Sequence, residues 1–147
     1  MWNSDKSLTL SILCVKIFFI IGIIFCIGGY PFTKAYVDYV QKPNAFYTIL
    51  ITGYVCLFLA FFIFALLHKL LKNIQNDVVF EEENTRHLRR LSWLCMGVAI
   101  VCAISSIGYI AFFLVSIAFA FIALILRVVK NVISEATLLK QENDFTI

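Results

Sequence analysis

Four apolar runs, each near the length of a membrane crossing, fall at residues 11–31, 46–68, 91–108 and 110–127. About 20 residues at 1.5 Å each are needed to cross roughly 30 Å of hydrocarbon. The runs contain no aspartate or glutamate, and their apolar character covers every face instead of one stripe. Helices of that kind sit in lipid, not on a soluble core. The fold class that follows is all-α: a polytopic membrane protein with four transmembrane helices and cytoplasmic helical extensions, organised as a single membrane domain over residues 1–147.

The segments between the runs refine this outline. A short polar lead with Asp5 and Lys6 precedes the first span. Gly28-Gly29 and Pro31 are expected to end that span, leaving residues 31–45 as an outer loop. Tyr30, Tyr36, Tyr39, Phe46 and Tyr47 cluster there, as aromatics do at a membrane interface. The second span is expected to close at His68, followed by Lys69 and Lys72 and a break over residues 73–79. Residues 80–90 read as helix: Glu82 and Glu83 reach Arg86 at i+4 and i+3, and Glu83 reaches His87 at i+4. Leu88, Leu91, Leu94 and Cys95 carry that helix into the third span. A tight turn is expected near Ser105-Ser-Ile-Gly-Tyr109. Cys95, Ala99 and Ala103 on span three, and Ser116 and Ala120 on span four, place small residues every fourth position, so these faces should meet. Past Arg127 the 3–4 residue spacing continues through Val128, Val132, Ala136 and Leu139. A helix over residues 110–140 would be about 45 Å long against a ~30 Å core, so its last turns leave the hydrocarbon.

Composition agrees. Of 147 residues, 62% are hydrophobic and 14% charged, where a soluble domain has roughly 45–50% and 25%. The lipid bilayer is therefore the first partner. The net charge of +3 matters through its placement. Lys6, Lys69, Lys72, Arg86, Arg89, Arg90, Arg127, Lys130 and Lys140 fall on one side of a four-span arrangement, and only Lys34 and Lys42 on the other. The positive-inside rule then puts both termini and residues 69–90 on the cytoplasmic side of a cell membrane. The first apolar run is longer than the 7–15 residues of a signal core and reads as a permanent helix.

No catalytic set emerges. Cysteines 14, 26, 56, 95 and 102 form no Cys-x-x-Cys pair, and His68 and His87 lie far apart, so neither metal nor cofactor is expected. There is no Ser/His/Asp trio on one side and no glycine-rich phosphate loop, so the protein is not expected to be an enzyme. Lys16 is the one basic residue well inside a span, and its stem is long enough to reach the interface. Direct nucleic-acid binding is not expected, because Glu81, Glu82 and Glu83 interleave with the basic residues at 86–90.

Phe80-Glu-Glu-Glu-Asn84, with Leu88-Arg89-Arg90-Leu91 and Trp93, resembles the Pro-Phe-x-x-Glu-Asn-x-x-x-Leu-Arg-x-hydrophobic-x-Trp pattern of a bacterial membrane family, the domain of unknown function 2975. Leu139-Lys-Gln-Glu-Asn-Asp-Phe-Thr-Ile147 resembles its closing Leu-x-Glu-Glu-Asn-Asp-Leu-Thr-Ile. Val79 stands where the family often has proline, and Phe145 where it usually has leucine. The resemblance implies four spans with both motifs cytoplasmic. It implies no reaction, but a partner: members are often encoded beside a very small helix-turn-helix DNA-binding protein.

The leading expectation is thus a non-enzymatic regulator whose cytoplasmic platform binds and restrains a small DNA-binding partner. Its expected contact residues are Glu82, Asn84, Arg86, Arg89, Arg90, Glu142, Asn143, Asp144, Phe145 and Ile147. The rival is a homo-oligomeric channel or transporter subunit, and a third reading is a bacteriocin immunity or stress protein acting through the aromatic outer loop.

Overall fold

The computed structural model describes residues 4–76 and 79–146, with side chains from Lys6 on. The described residues form four helices: α1 (Ser4–Val40), α2 (Phe46–Gln75), α3 (Glu82–Ser105) and α4 (Ala111–Thr146). A single 3₁₀ turn, Pro43–Ala45, precedes α2, and no strand occurs among the described residues. All four helices are long and apolar enough to cross a membrane. The protein is an all-α, multi-pass membrane protein.

The helices pack in chain order, α1 on α2, α2 on α3 and α3 on α4, with no packing between other helix pairs among the described residues. They alternate in direction: Phe18 of α1 meets Phe64 late in α2, Asn73 late in α2 meets Asn84 early in α3, and along α3 the α4 partners run backwards, Ser92 with Ala123 and Ala99 with Ser116. The α2–α3 connection and the end of α4 therefore share one end of the molecule, and Lys34 and Lys42 lie at the other. The row is curved, so that all four helices contribute to one apolar cavity of about 450 Å³ towards the Lys42 end.

The α3–α4 seam is built on small residues. Ser92 Oγ donates to the Ala123 carbonyl at 2.9 Å and Ser116 Oγ to the Ala99 carbonyl at 2.8 Å. Such bonds need close backbone approach, which Ala99 and Ala123 permit. Ala103, expected in this seam, is exposed: the face has rotated away by then. Between α2 and α3, Thr52 Oγ1 donates to Ser105 Oγ at 2.7 Å, and Ser105 passes the bond on to the Val101 carbonyl at 2.9 Å. Between α1 and α2 the contact is aromatic: Phe19 meets Phe61 edge to face, and Gly22 makes room for the Phe61 ring.

Three expected boundaries are corrected. Gly28-Gly29 and Pro31 do not end the first helix, which runs on to Val40, so residues 31–40 are helix and not loop. In hydrocarbon a broken helix leaves backbone groups with no water to bond, so continuing past proline is the cheaper course. Pro31 denies the Ile27 carbonyl its partner, and beside it Tyr54 Oη donates to the Cys26 carbonyl at 3.2 Å. The real stop is Gln41, in the left-handed region at φ 55°, with Lys42 N–H bonded to the Val37 carbonyl and Gln41 N–H to that of Asp38. That is a Schellman ending without glycine, followed by Pro43. Second, α2 runs into the break expected from residue 73 and ends at Gln75. Third, α3 starts at Glu82, because Glu81 is extended (φ −129°, ψ 150°) and serves as its N-cap. The polar lead, too, is helical from Ser4. The expected turn between spans three and four is present, over residues 106–110.

Candidate functional site

Glu82 and Glu83 occupy the first turn of α3, where carboxylates favour the helix dipole. The start of this helix is fastened from within. Asn84 is 1% exposed. Its Oδ1 accepts from Asn73 Nδ2 of α2 at 2.8 Å, and its Nδ2 donates to the Val79 carbonyl at 3.0 Å. Leu88 and Leu91 are buried below it. His87 is buried as well, its Nε2 3.3 Å from Glu83 Oε1 but outside hydrogen-bond geometry.

Two clefts lie where α3 leaves the apolar region alongside α4. The outer one, about 280 Å³, is walled by Glu82, Thr85, Arg86 and Arg89 of α3 and by Ser134, Leu138 and Gln141 of α4. Arg86 pairs with Glu82 at 3.5 Å, but both side chains are about two-thirds exposed or more, so the pair is weakly held. Thr85 is buried, and its Oγ1 has no hydrogen-bond partner among the described residues. Thr137, facing it across the groove, turns its hydroxyl back to the Ile133 carbonyl at 2.8 Å. The inner cleft, about 290 Å³, is walled by Arg89, Ser92 and Trp93 of α3 and by Arg127, Lys130 and Asn131 of α4. The Arg127 guanidinium stands over the Trp93 ring, 5.3 Å from its centroid.

Of the residues expected to meet a partner, Glu82, Arg86 and Arg89 are brought together on the outer cleft. Asn84 is buried and bonded inside the protein. Arg90 is exposed but lines neither cleft. Glu142, Asn143, Asp144 and Phe145 form an exposed last stretch of α4, with Phe145 91% exposed, so this stretch does not fold back onto α3. Ile147 lies outside the described residues. In the linear sequence topology alone accounts for Arg127 and Lys130; the signal that ties them to a site is Trp93 near the start of one apolar run and Arg127 at the end of its neighbour. No group of three or more His, Cys, Asp or Glu fit for a metal occurs among the described residues.

These features define a four-span α-helical membrane protein whose polar clefts gather at one end of α3 and α4. The chain belongs to the family described as "Protein of unknown function (DUF2975)", whose model matches residues 30–147. No curated protein and no solved structure matches it.

Proposed function

We propose that this protein is a bacterial inner-membrane regulator that works by interaction, with both termini and the α2–α3 connection in the cytoplasm. The outer cleft and the last turns of α4 form a platform that captures and restrains a small partner of the helix-turn-helix kind. The observation that carries this reading is the outer cleft itself, with a buried, unpartnered Thr85 hydroxyl at its base, Arg86 and Arg89 on one wall and Leu138, 57% exposed, on the other. An unbonded buried hydroxyl costs free energy that a ligand group can recover. The exposed Phe145 extends the surface with an apolar contact. Orientation rests on the basic residues that gather at this end. Pull-down of the tagged protein from its native membranes in mild detergent, with mass spectrometry, tests the reading. One small DNA-binding protein should co-purify, and be lost with Leu138→Asp, Arg86→Glu or removal of residues 141–147. Capture that survives all three changes refutes the platform. Recovery of a defined homo-oligomer alone would transfer the case to the channel reading.

A further inference from the structure

The inner cleft collects three cations from two helices. Arg89, Arg127 and Lys130 line it, and none has a carboxylate within ion-pair distance among the described residues. Like charges gathered at a low-dielectric boundary repel one another unless an anion joins them. The depth of the cleft indicates which anion. Trp93 is the third residue of one apolar run and Arg127 the last of the neighbouring antiparallel run. Trp93, 62% exposed, therefore sits at the level where tryptophan rings mark the headgroup layer. Ser92 contributes no donor, since its hydroxyl already bonds the Ala123 carbonyl. The donors left are the two guanidinium groups, the Lys130 ammonium, the Asn131 amide and the Trp93 indole N–H. That set suits a phosphodiester, which guanidinium forks bind by two parallel hydrogen bonds.

We propose that the cleft formed by Arg89, Trp93, Arg127 and Lys130 binds the phosphodiester headgroup of an anionic membrane lipid. Basic pockets between transmembrane helices are a recurring form of anionic-lipid site. A soluble anion would gain nothing from a tryptophan set at the apolar boundary, whereas a lipid places its acyl chains there. Zwitterionic lipids are disfavoured, because their own cation would enter a field of three more. This inference does not require the protein partner, and Arg127 and Lys130 lie outside the outer cleft, so the two readings fail separately.

The test uses the full chain in phosphatidylcholine vesicles. Trp2→Phe leaves Trp93 as the only tryptophan. Brominated phosphatidylglycerol or brominated phosphatidylcholine is added at equal mole fraction, and quenching of Trp93 gives their relative binding. Phosphatidylglycerol should be preferred by about fivefold or more, as expected when several cations face one anion. The preference should fall severalfold in Arg127→Gln/Lys130→Gln, which leaves Arg89 as the one cation of the cleft, and persist in the charge-keeping Arg127→Lys/Lys130→Arg. Lys69→Gln/Lys72→Gln, which removes two cations elsewhere at the same end, should leave it intact. Equal quenching by both lipids overturns the proposal. So does an equal loss in the Lys69/Lys72 variant, which would mean diffuse surface charge, or abolition of the preference by millimolar inorganic phosphate, which would mean a soluble-anion site. A monodisperse size-exclusion peak and wild-type far-UV helicity confirm that each variant is folded, since Trp93 emission itself responds to loss of the Arg127 guanidinium above its ring.

Discussion

Asn84 offers the sharpest test of how the α2–α3 connection is held. Replacing it with alanine removes its bonds to Asn73 Nδ2 (2.8 Å) and the Val79 carbonyl (3.0 Å) and leaves both partners facing a void. Each bond contributes about 1 kcal/mol net, and stranding the buried partners adds to this, for a total of about 2–3 kcal/mol. The cost falls locally, on the segment joining Gln75 to Glu82, and not on the apolar seams. Local opening should therefore become about 30- to 150-fold more frequent. Hydrogen–deuterium exchange in detergent micelles reads this directly: amides from Val79 to Leu88 should exchange faster by that factor, while those at the Ala99–Ser116 seam should not change. Asn73→Ala loses one of the bonds and should accelerate exchange by about fivefold. The double variant should fall well short of the sum, because both single changes break the same contact. Asn84→Asp keeps the acceptor but loses the donor and buries a carboxylate, so it should be at least as damaging as alanine. Wild-type exchange rates over residues 79–88 in Asn84→Ala would refute the assignment of Asn84 as the fastening.

Other substitutions probe the apolar half. A Cβ on Gly108 would stand 2.6 Å from Thr48 Oγ1 and 2.9 Å from its Cγ2, so Gly108→Ala should cost about 1–3 kcal/mol in detergent unfolding and recover when combined with Thr48→Ala. Ser105 accepts from Thr52 and donates to Val101, so Ser105→Ala should lower the melting temperature more than Thr52→Val, which removes one interhelical bond of about 0.6 kcal/mol. Ala123 is 1% exposed at the seam, and Ala123→Leu should drive α3 from α4, with loss of a monodisperse peak on size exclusion and of ordered Trp93 emission.

The spans were legible because continuous apolarity over about 20 residues has few other meanings. The Glu82–Arg86 pair was legible because i,i+4 neighbours are fixed by helix geometry alone. Stop signals were misread where they were weighed as if water surrounded them. Gly28-Gly29 and Pro31 punctuate a soluble chain, but in lipid the helix carries them and ends instead at Gln41-Lys42-Pro43. Asn84 was misplaced for a different reason. It stands in a charged stretch that reads as solvated, and its burial depends on Asn73, across a turn that no periodicity encodes. Arg127 and Lys130 had a sufficient explanation in topology, so nothing in the linear pattern joined them to Arg89. That junction exists because α3 and α4 are antiparallel and tightly packed through small residues.

Arg89 is the one residue common to both clefts, and this gives the two proposals a joint consequence. Among the described residues α4 packs on α3 alone of the helices, so both clefts are walled by the same helix pair. A guanidinium held by a lipid phosphate in the inner cleft is withdrawn from the outer one. Anionic lipid and protein partner should therefore oppose each other, and by linkage each must weaken the other by the same factor. With one cation shared, that factor should be about fivefold. Measured in vesicles, affinity for the partner should fall about fivefold when phosphatidylglycerol replaces phosphatidylcholine. Arg127→Gln/Lys130→Gln should abolish that fall without weakening the partner in phosphatidylcholine. Leu138→Asp should weaken the partner and leave lipid preference untouched, while Arg89→Gln should weaken both ligands. If Arg89→Gln affects only one ligand, the clefts are independent and the shared guanidinium does not couple them.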